Sequence, residues 1–137
     1  MVRTIMTSRK RKVREDQDED DLNLHPTTLM TPGAVYVWGE GDCGQLGTGP
    51  DLQGRYRPTP LASLAKDVIQ VKCGGMHSCS LKSDGTVYTW GVNDESALGR
   101  VCDDDGSTEP GEVVGIEGEK VVQFSCGDSH TATLLRD

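Results

Sequence analysis

Short runs of alternating apolar and polar residues, separated by glycine-containing turns, fill most of the chain beyond its first quarter. Val68–Cys73 (VIQVKC) and His77–Lys82 lie on either side of the Gly74-Gly75 turn, and a similar pair of runs returns at Val121–Cys126 and Ser129–Leu135. Alternation with a period of two predicts β-strands with one buried face. No window of helical length shows a 3.6-residue period. The pattern therefore predicts an all-β fold.

Two sequence motifs recur at nearly constant spacing. Val35–Gly47 (VYVWGEGDCGQLG) returns at Val87–Gly99 (VYTWGVNDESALG), 52 residues later. Cys73–Leu81 (CGGMHSCSL) returns at Cys126–Leu134 (CGDSHTATL), 53 residues later. A unit of roughly 50 residues with about four short strands has the size of one propeller blade. Such a unit buries its apolar face only against neighbouring copies.

Two long segments between the predicted strands contain both glycine and proline. They are Gly47–Leu61 and Gly99–Gly118, and the second also contains three consecutive aspartates. Glycine and proline favour turns and interrupt regular strands. We therefore expect both segments to be surface loops.

The first 32 residues differ from the rest of the chain in charge and lack apolar periodicity. A basic start is followed within seven residues by six acids, which are Glu15, Asp16, Asp18, Glu19, Asp20 and Asp21. Blocks of like charge repel and usually remain solvated. We therefore predict a disordered charged tail over residues 1–32 and a repeat domain over residues 33–137.

The basic cluster of the tail allows three interpretations. It can be a nuclear import signal, a tether to a nucleic-acid backbone or simply a solvated segment. Its members are Arg9, Lys10, Arg11, Lys12 and Arg14. The net charge of the whole chain is −8, so a general affinity for nucleic acid is not expected.

Cysteine usage and hydropathy indicate the compartment. The chain has five cysteines, an odd number, and no apolar run that resembles a signal peptide or a membrane span. We therefore expect a reducing intracellular compartment and no membrane partner. The thiols are expected to act as small buried apolar groups.

One glycine motif resembles a nucleotide-binding sequence. Gly39–Gly44 matches G-x-G-x-x-G directly after a strand, but the residues that follow it favour no helix. A dinucleotide site needs the amides of a helix N-terminus. The repeat copy, Gly91–Ser96, has lost two of the three glycines. We interpret the motif as a glycine turn within a blade and expect no bound nucleotide cofactor.

Cysteine and histidine also occur close together in both copies of the second motif. The first copy holds Cys73, His77 and Cys79, and the second holds Cys126 and His130. Zinc needs four converging ligands. Equivalent positions of separate repeats are expected to lie about one blade apart. We therefore predict repeated structural positions and no metal site.

The histidines and one aspartate remain candidates for either structure or binding. His77 and His130 each precede a strand, where an imidazole can hydrogen-bond to a neighbouring strand or face a partner. Asp128 stands where the other copy has Gly75. This exception to the repeat indicates either function or a turn stabilised by the carboxylate.

The phrases VYVWGEGDCGQLGTG, CGGMHSCSLKSDGTVYTWGVNDESALGR and EKVVQFSCGDSHTATL resemble the regulator of chromosome condensation repeat. The resemblance covers about residues 33–137. It implies about two blades of a seven-bladed β-propeller, a truncated arrangement in which the ring is not closed. We then expect the apolar run at Val35–Trp38 to lack a covering blade.

The resemblance also implies a function. Chromatin-bound members of this family are guanine-nucleotide exchange factors for the small GTPase Ran and dock on nucleosomes. Their activity is not covalent catalysis, and it needs no cofactor and no small-molecule substrate. The positions that match GTPase-contact motifs are Asp42, His77 and Asp128, and Asp94 is the repeat equivalent of Asp42.

Two further expectations follow from the resemblance. The chain is expected in the nucleus, associated with chromatin, or in the cytoplasm if this truncated form is not retained. Its 137 residues are expected to lack full exchange activity, because the other contact segments of the family have no counterpart here. The alternative is a non-catalytic interaction module, since the same repeat serves as a scaffold in other proteins.

Overall fold

A computed structural model describes residues 31–51, 53–102 and 105–136. The basic cluster and nearly all of the predicted tail lie outside these ranges. Within them the chain forms β-strands and no helix, and hence no helix that could cross a membrane. The strands are β1 Tyr36–Gly39, β2 Arg55–Pro60, β3 Val68–Cys73, β4 His77–Lys82, β5 Val87–Val92, β6 Gly106–Glu112, β7 Val121–Cys126 and β8 Thr131–Leu135.

The strands form three antiparallel sheets. Strands β3, β4, β5 and β6 form one four-stranded sheet in that order, which we call the central blade. Strands β1 and β2 form the first half-blade, and β7 and β8 form the second. By the sequence repeat, β1 corresponds to β5 and β7 corresponds to β3. The described residues therefore hold one whole blade between two half-blades, which confirms the predicted partial propeller without a closed ring.

The two segments predicted as surface loops each contain a strand, so that prediction was wrong. Strand β2 lies in the first segment and β6 lies in the second. Strand β6 pairs with β5, with Glu112 opposite Tyr88 and Ser107 opposite Gly91. Strands β2 and β6 are both the last strands of their sheets. An outer strand is paired on one side only, so it tolerates proline, which cannot donate a backbone hydrogen bond.

Each face of the central blade packs on one half-blade. The apolar cluster on the side of the first half-blade contains Val35, Val37, Leu46, Leu61, Leu64, Val68 and Trp90. The cluster on the opposite side contains Cys79, Leu81, Val87, Val121 and Phe124. In β5, Val87 belongs to one cluster and Trp90 to the other, as the alternation of side chains along a strand requires.

The expected exposure of the first strand was wrong for its aliphatic side chains. Val35 is 1% exposed and Val37 is 2% exposed, because both face the central blade. Tyr36, on the other face of β1, is 38% exposed. A single neighbouring blade is therefore sufficient to bury one face of this strand.

Trp90 fixes the contact between the first half-blade and the central blade. Its ring is fully buried, and its Nε1 donates a hydrogen bond to the carbonyl oxygen of Gln45 at 2.9 Å. Gly47 lies against the ring, and a Cβ at this position would be 2.8 Å from Trp90 Nε1. The φ of Gly47 is 71°, a conformation that side chains disfavour. Glycine is therefore required here by both space and backbone geometry.

Candidate functional site

The turns that carry the predicted site residues meet at one end of the blades, which we call the acidic end. Strand β4 is antiparallel to β5, with His77 opposite Gly91. The turn before β4 therefore lies beside the segment that follows β5, where Asp94 is located. The β7–β8 turn approaches the same place, since the backbone N–H of Gly75 donates to the carbonyl oxygen of Asp128 at 3.3 Å.

A small cavity at the acidic end brings three of the four predicted residues together. Its volume is about 120 Å³, and His77, Asp94 and Asp128 are among its lining residues. The others are Met76, Val92, Glu95, Ala97 and Ser129. Neither of the two salt bridges within the described ranges involves these carboxylates. The rim of the cavity is therefore a patch of uncompensated negative charge.

Asp128 is an exposed member of this rim. Its carboxylate makes no hydrogen bond to another described residue. A turn stabilised by this carboxylate, one of the two interpretations of the sequence, is not observed. The side chain is therefore available to a partner.

His77 forms the floor of the cavity and is 2% exposed. Its Nε2 lies 3.0 Å from Thr131 Oγ1, and Thr131 Oγ1 donates to the carbonyl oxygen of Ala97 at 2.9 Å. Because the threonine hydroxyl has one hydrogen, it accepts from His77, which places a proton on Nε2. His77 thus hydrogen-bonds to a neighbouring strand, whereas its repeat equivalent His130 is exposed.

Asp42 lies in a second cavity beside the first. This cavity has a volume of about 590 Å³, and Val92 lines both cavities. The Asp42 carboxylate accepts a hydrogen bond from Gln45 Nε2 at 3.2 Å. Burial raises the pKa of the neighbouring Cys43, and the charges of Asp42 and Asp94 raise this pKa further. The four predicted residues thus share one end of the molecule but occupy two cavities.

Two acidic residues at this end were not among the predicted residues. Glu95 lines the small cavity, and Asp105 lines the larger one together with Arg100. Glu95 directly follows Asp94, so a search for adjacent acids would have found it. Asp105 lies in the segment predicted as a loop, and only the pairing of β6 brings it to the acidic end.

The glycine motif Gly39–Gly44 forms turns, as predicted. The backbone N–H of Gly44 donates to the carbonyl oxygen of Gly41 at 3.0 Å, and that of Gly47 donates to Gly44 at 2.9 Å. No helix follows within the described residues. The helix N-terminus that holds a dinucleotide is therefore absent from this part of the chain.

The expected separation of the cysteines from each other was wrong. The Sγ atoms of Cys79 and Cys126 are 3.0 Å apart, and the donor atoms of His77, Cys79 and Cys126 all lie within 4.8 Å of one another. Cys126 is the repeat equivalent of Cys73 and not of Cys79. Non-equivalent positions of adjacent blades meet because the blades stack face to face.

Comparison with known proteins agrees with the fold. The profile of the "Regulator of chromosome condensation (RCC1) repeat" family matches residues 32–81 and 84–134. The "Regulator of chromosome condensation" of Xenopus laevis is 47% identical over 114 residues, which are 82% of this chain and 26% of the relative. The human protein of the same name gives the same identity and coverage. The human "E3 ubiquitin-protein ligase HERC2" is 43% identical over 108 residues, covering 75% of this chain and 2% of the ligase.

Solved structures give the same result. Prp20p from Saccharomyces cerevisiae superimposes with a TM-score of 0.68 at 31% identity, covering 76% of this chain and 26% of Prp20p. A chain in the crystal structure of Kap60 bound to yeast RCC1 (Prp20) gives a TM-score of 0.70 at 26% identity, with 95% of this chain and 33% of that chain covered. This chain thus spans about a quarter of the Xenopus and human relatives.

Proposed function

Because this chain belongs to the regulator of chromosome condensation (RCC1) repeat family, we propose that it carries part of the surface by which a guanine-nucleotide exchange factor binds the small GTPase Ran. The similar yeast protein Prp20p is known for its binding properties to Gsp1p and histones. The nucleotide-exchange activity itself is proposed for a full-length family member. In such a protein, the acidic end described here forms part of the surface that binds the GTPase. The observation that carries the proposal is the convergence of His77, Asp94 and Asp128 at one cavity.

An exchange factor acts by differential affinity and forms no covalent intermediate. It binds the nucleotide-free GTPase more tightly than the nucleotide-loaded form, and this difference promotes nucleotide release. Uncompensated carboxylates at the rim complement basic side chains of a partner, which speeds association and fixes orientation. We propose that three aspartates contact the GTPase directly, namely Asp42, Asp94 and Asp128.

His77 has a different role from the aspartates because it is buried. Its hydrogen bond to Thr131 joins β4 to the strand that follows Asp128. We infer that His77 positions the Asp128 turn and contacts the GTPase only through the cavity that it lines. Asp128 is then the residue whose removal most directly weakens binding.

The second candidate function is a non-catalytic interaction module. The similarity to HERC2, a ubiquitin ligase, supports it, because the same repeat occurs there in a protein of a different class. The two candidates differ in one measurable property. An exchange surface changes the rate of nucleotide release, whereas a scaffold binds without changing that rate.

The proposal is tested with Ran loaded with a fluorescent guanine nucleotide and with nucleotide-free Ran. The 137-residue chain is added to each, and nucleotide release and binding are measured. We expect tighter binding to nucleotide-free Ran. Asp128→Ala should weaken it about 5- to 30-fold, because charge-assisted contacts contribute about 1–2 kcal/mol. Binding without preference for the nucleotide-free form would favour the scaffold, and no binding would contradict the proposal for this chain.

Glu119→Ala is the matched control. Glu119 is an exposed acid in the segment before β7, at the opposite end of the blades. The variant makes the same change in net charge, so general electrostatic attraction falls equally in both. Circular dichroism spectra of both variants establish that the fold is retained. Equal weakening by the two substitutions would argue against a local contact at Asp128.

We also propose that the protein acts in the nucleus, at chromatin, with the basic cluster Arg9–Arg14 as the import signal or DNA tether. The association of Prp20p with histones supports a chromatin role in a relative. The test is the location of a fluorescent fusion in cells, with the basic residues of this cluster replaced by alanine as the variant. Loss of nuclear accumulation is expected. Unchanged accumulation would remove the cluster from the proposal.

A further inference from the structure

A pair of thiols joins the central blade to the second half-blade. Cys79 lies on β4 and is fully buried, whereas Cys126 at the end of β7 is half-buried. Their Sγ atoms are 3.0 Å apart. Thr131 Oγ1 lies 3.6 Å from Cys79 Sγ and 3.0 Å from His77 Nε2, so a hydroxyl and an imidazole adjoin the thiol pair beside the apolar cluster between the two sheets.

We propose that Cys126 and Cys79 are a site of oxidative modification, at which hydrogen peroxide converts the two thiols into a disulfide that links neighbouring blades. Cys126 is the peroxide-reactive thiol because it is the more accessible of the two. Cys79 is the resolving thiol because its sulfur already touches that of Cys126. No disulfide is present among the described residues.

The surroundings of Cys126 favour the thiolate, which is the nucleophilic form. A hydrogen bond with Cys79 and interactions with His77 and Thr131 lower the pKa of Cys126 to about 5. The same hydrogen bond, together with burial, raises the pKa of Cys79. Of the two thiols, Cys126 is therefore the one that ionises first. Low pKa and partial exposure are the features of oxidation-sensitive cysteines.

The oxidation proceeds in two balanced steps. The Cys126 thiolate attacks one oxygen of hydrogen peroxide, an S–O bond forms, the O–O bond breaks, and the leaving hydroxide takes a proton to become water. Cys79 then loses its proton and attacks the Cys126 sulfur, an S–S bond forms, and the S–O bond breaks with release of a second water. Two thiols are oxidised by two electrons, and one peroxide is reduced to two waters.

The distance between the sulfurs argues for a disulfide over a metal site. Two thiolates on one tetrahedral zinc ion lie about 3.8 Å apart, given Zn–S bonds of about 2.3 Å. The sulfurs here are closer than that at 3.0 Å and must approach by only about 1 Å to reach the length of a disulfide bond. His77, Cys79 and Cys126 also provide three ligands where structural zinc takes four.

The disulfide would have a structural consequence at the acidic end. Cys79 is two residues from His77, and Cys126 is two residues from Asp128. A covalent bond between these strands would fix the distance between the floor of the small cavity and its rim. Oxidation would therefore act on the geometry of the cavity, whichever partner binds there.

The test is treatment of the reduced 137-residue chain with hydrogen peroxide, followed by blocking of free thiols and mass spectrometry. We expect two fewer blocked thiols than in the untreated chain, which corresponds to one disulfide, and treatment with dithiothreitol before blocking should restore them. Trypsin should release a linked pair of peptides, Cys73–Lys82 and Val121–Arg136, and fragmentation should place the bond at Cys79. A bond to Cys73, or no bond between these peptides, would overturn the proposal.

Two variants separate the roles of the thiols. In Cys79→Ser the reaction should stop at the sulfenic acid of Cys126, which dimedone captures. Cys43→Ser is the matched control, since Cys43 is also half-buried but has a raised pKa, and its removal should leave the disulfide unchanged. Cys126 should react roughly tenfold faster than Cys43, because its higher thiolate fraction outweighs its lower intrinsic nucleophilicity.

Two results would reassign the cluster. Equal reaction rates of Cys126 and Cys43 would remove the basis for a reactive thiol. Stoichiometric uptake of Zn²⁺ by the reduced chain, retained in Cys43→Ser and lost in Cys126→Ser, would identify a metal site in place of a redox site. Because the wild-type peptide map needs no variant, the proposal stays testable even if Cys79→Ser does not fold.

Discussion

The β3–β4 hairpin of the central blade and the β7–β8 hairpin of the second half-blade have nearly the same sequence pattern but different burial. His77 is 2% exposed, whereas its equivalent His130 is exposed. Leu81 is 2% exposed, whereas its equivalent Leu134 is 57% exposed. In the first strands, Val122 is 39% exposed, whereas its equivalent Ile69 packs against the second apolar cluster. Since the two hairpins have nearly the same pattern, local sequence does not determine burial.

The first strands of the two hairpins show what does determine burial. Val68 is 0% exposed and its equivalent Val121 is 3% exposed, because each faces the blade that precedes it in the chain. Leu81 faces the blade that follows, and within the described residues β8 has no following blade. A repeat of this kind is therefore a strand pattern with two apolar sides, each of which becomes buried only when its own neighbour is present.

Leucine truncation at equivalent positions is the strongest test of this comparison. Leu81→Ala should lower the free energy of unfolding by about 2–5 kcal/mol, because it removes buried methyl groups and leaves a cavity. Leu134→Ala should change it by less than about 0.5 kcal/mol, since an exposed side chain loses few contacts. Urea titration followed by tryptophan fluorescence, to which Trp38 and the buried Trp90 both contribute, provides the measurement.

The two leucine variants serve as controls for each other, since the substitution and the strand position are identical. Similar losses in both variants would mean that Leu134 is covered in solution, for instance by another copy of the chain. Repeating the titration at several protein concentrations distinguishes that case, because association makes the apparent stability depend on concentration. A small loss in both variants would mean that the second half-blade adds little to the core.

The sequence pattern was sufficient to predict most of the strands and the type of fold. Apolar alternation, β-branched runs and glycine turns located β1, β3, β4, β5, β7 and β8. The outer strands β2 and β6 were missed because they contain proline and glycine and are about half exposed. The spacing of the repeat gave the blade size correctly, since each unit holds about four strands.

Side-chain faces were harder to predict because a β-bulge changes the alternation. Val68 and Val71 pack against the same cluster although an odd number of positions separates them. The register between β3 and β4 shifts between Val68 and Gln70, which inserts one residue and restores the same face. An equivalent shift between Val121 and Gln123 lets Phe124 join the core of the second interface. A strict period of two therefore fails in the first strand of each hairpin.

The sequence repeat identified the aspartates of the candidate site. It could not identify the residues that meet only because two blades pack against each other. Alignment of the two copies related Asp94 to Asp42, and the exception to the repeat singled out Asp128. The meeting of Cys79 with Cys126 could not be derived in this way, because these residues are not equivalent and the stacking of the sheets brings them together. The repeat therefore predicts where a residue lies within its blade. It does not predict which residues of neighbouring blades come into contact, such as the two thiols.

The histidines test the comparison at a polar position, where a smaller effect is expected. His77→Ala should lower the free energy of unfolding by about 1–3 kcal/mol, because it removes a buried hydrogen bond and opens space beside Thr131. His130→Ala should be nearly neutral. A double-mutant cycle with Thr131→Val measures the coupling directly, and we expect about 0.5–2 kcal/mol between positions 77 and 131 and none between 130 and 131. Equal coupling energies for both histidines would contradict this prediction. They would mean that the His77–Thr131 hydrogen bond adds nothing specific to the contact between the central blade and the second half-blade.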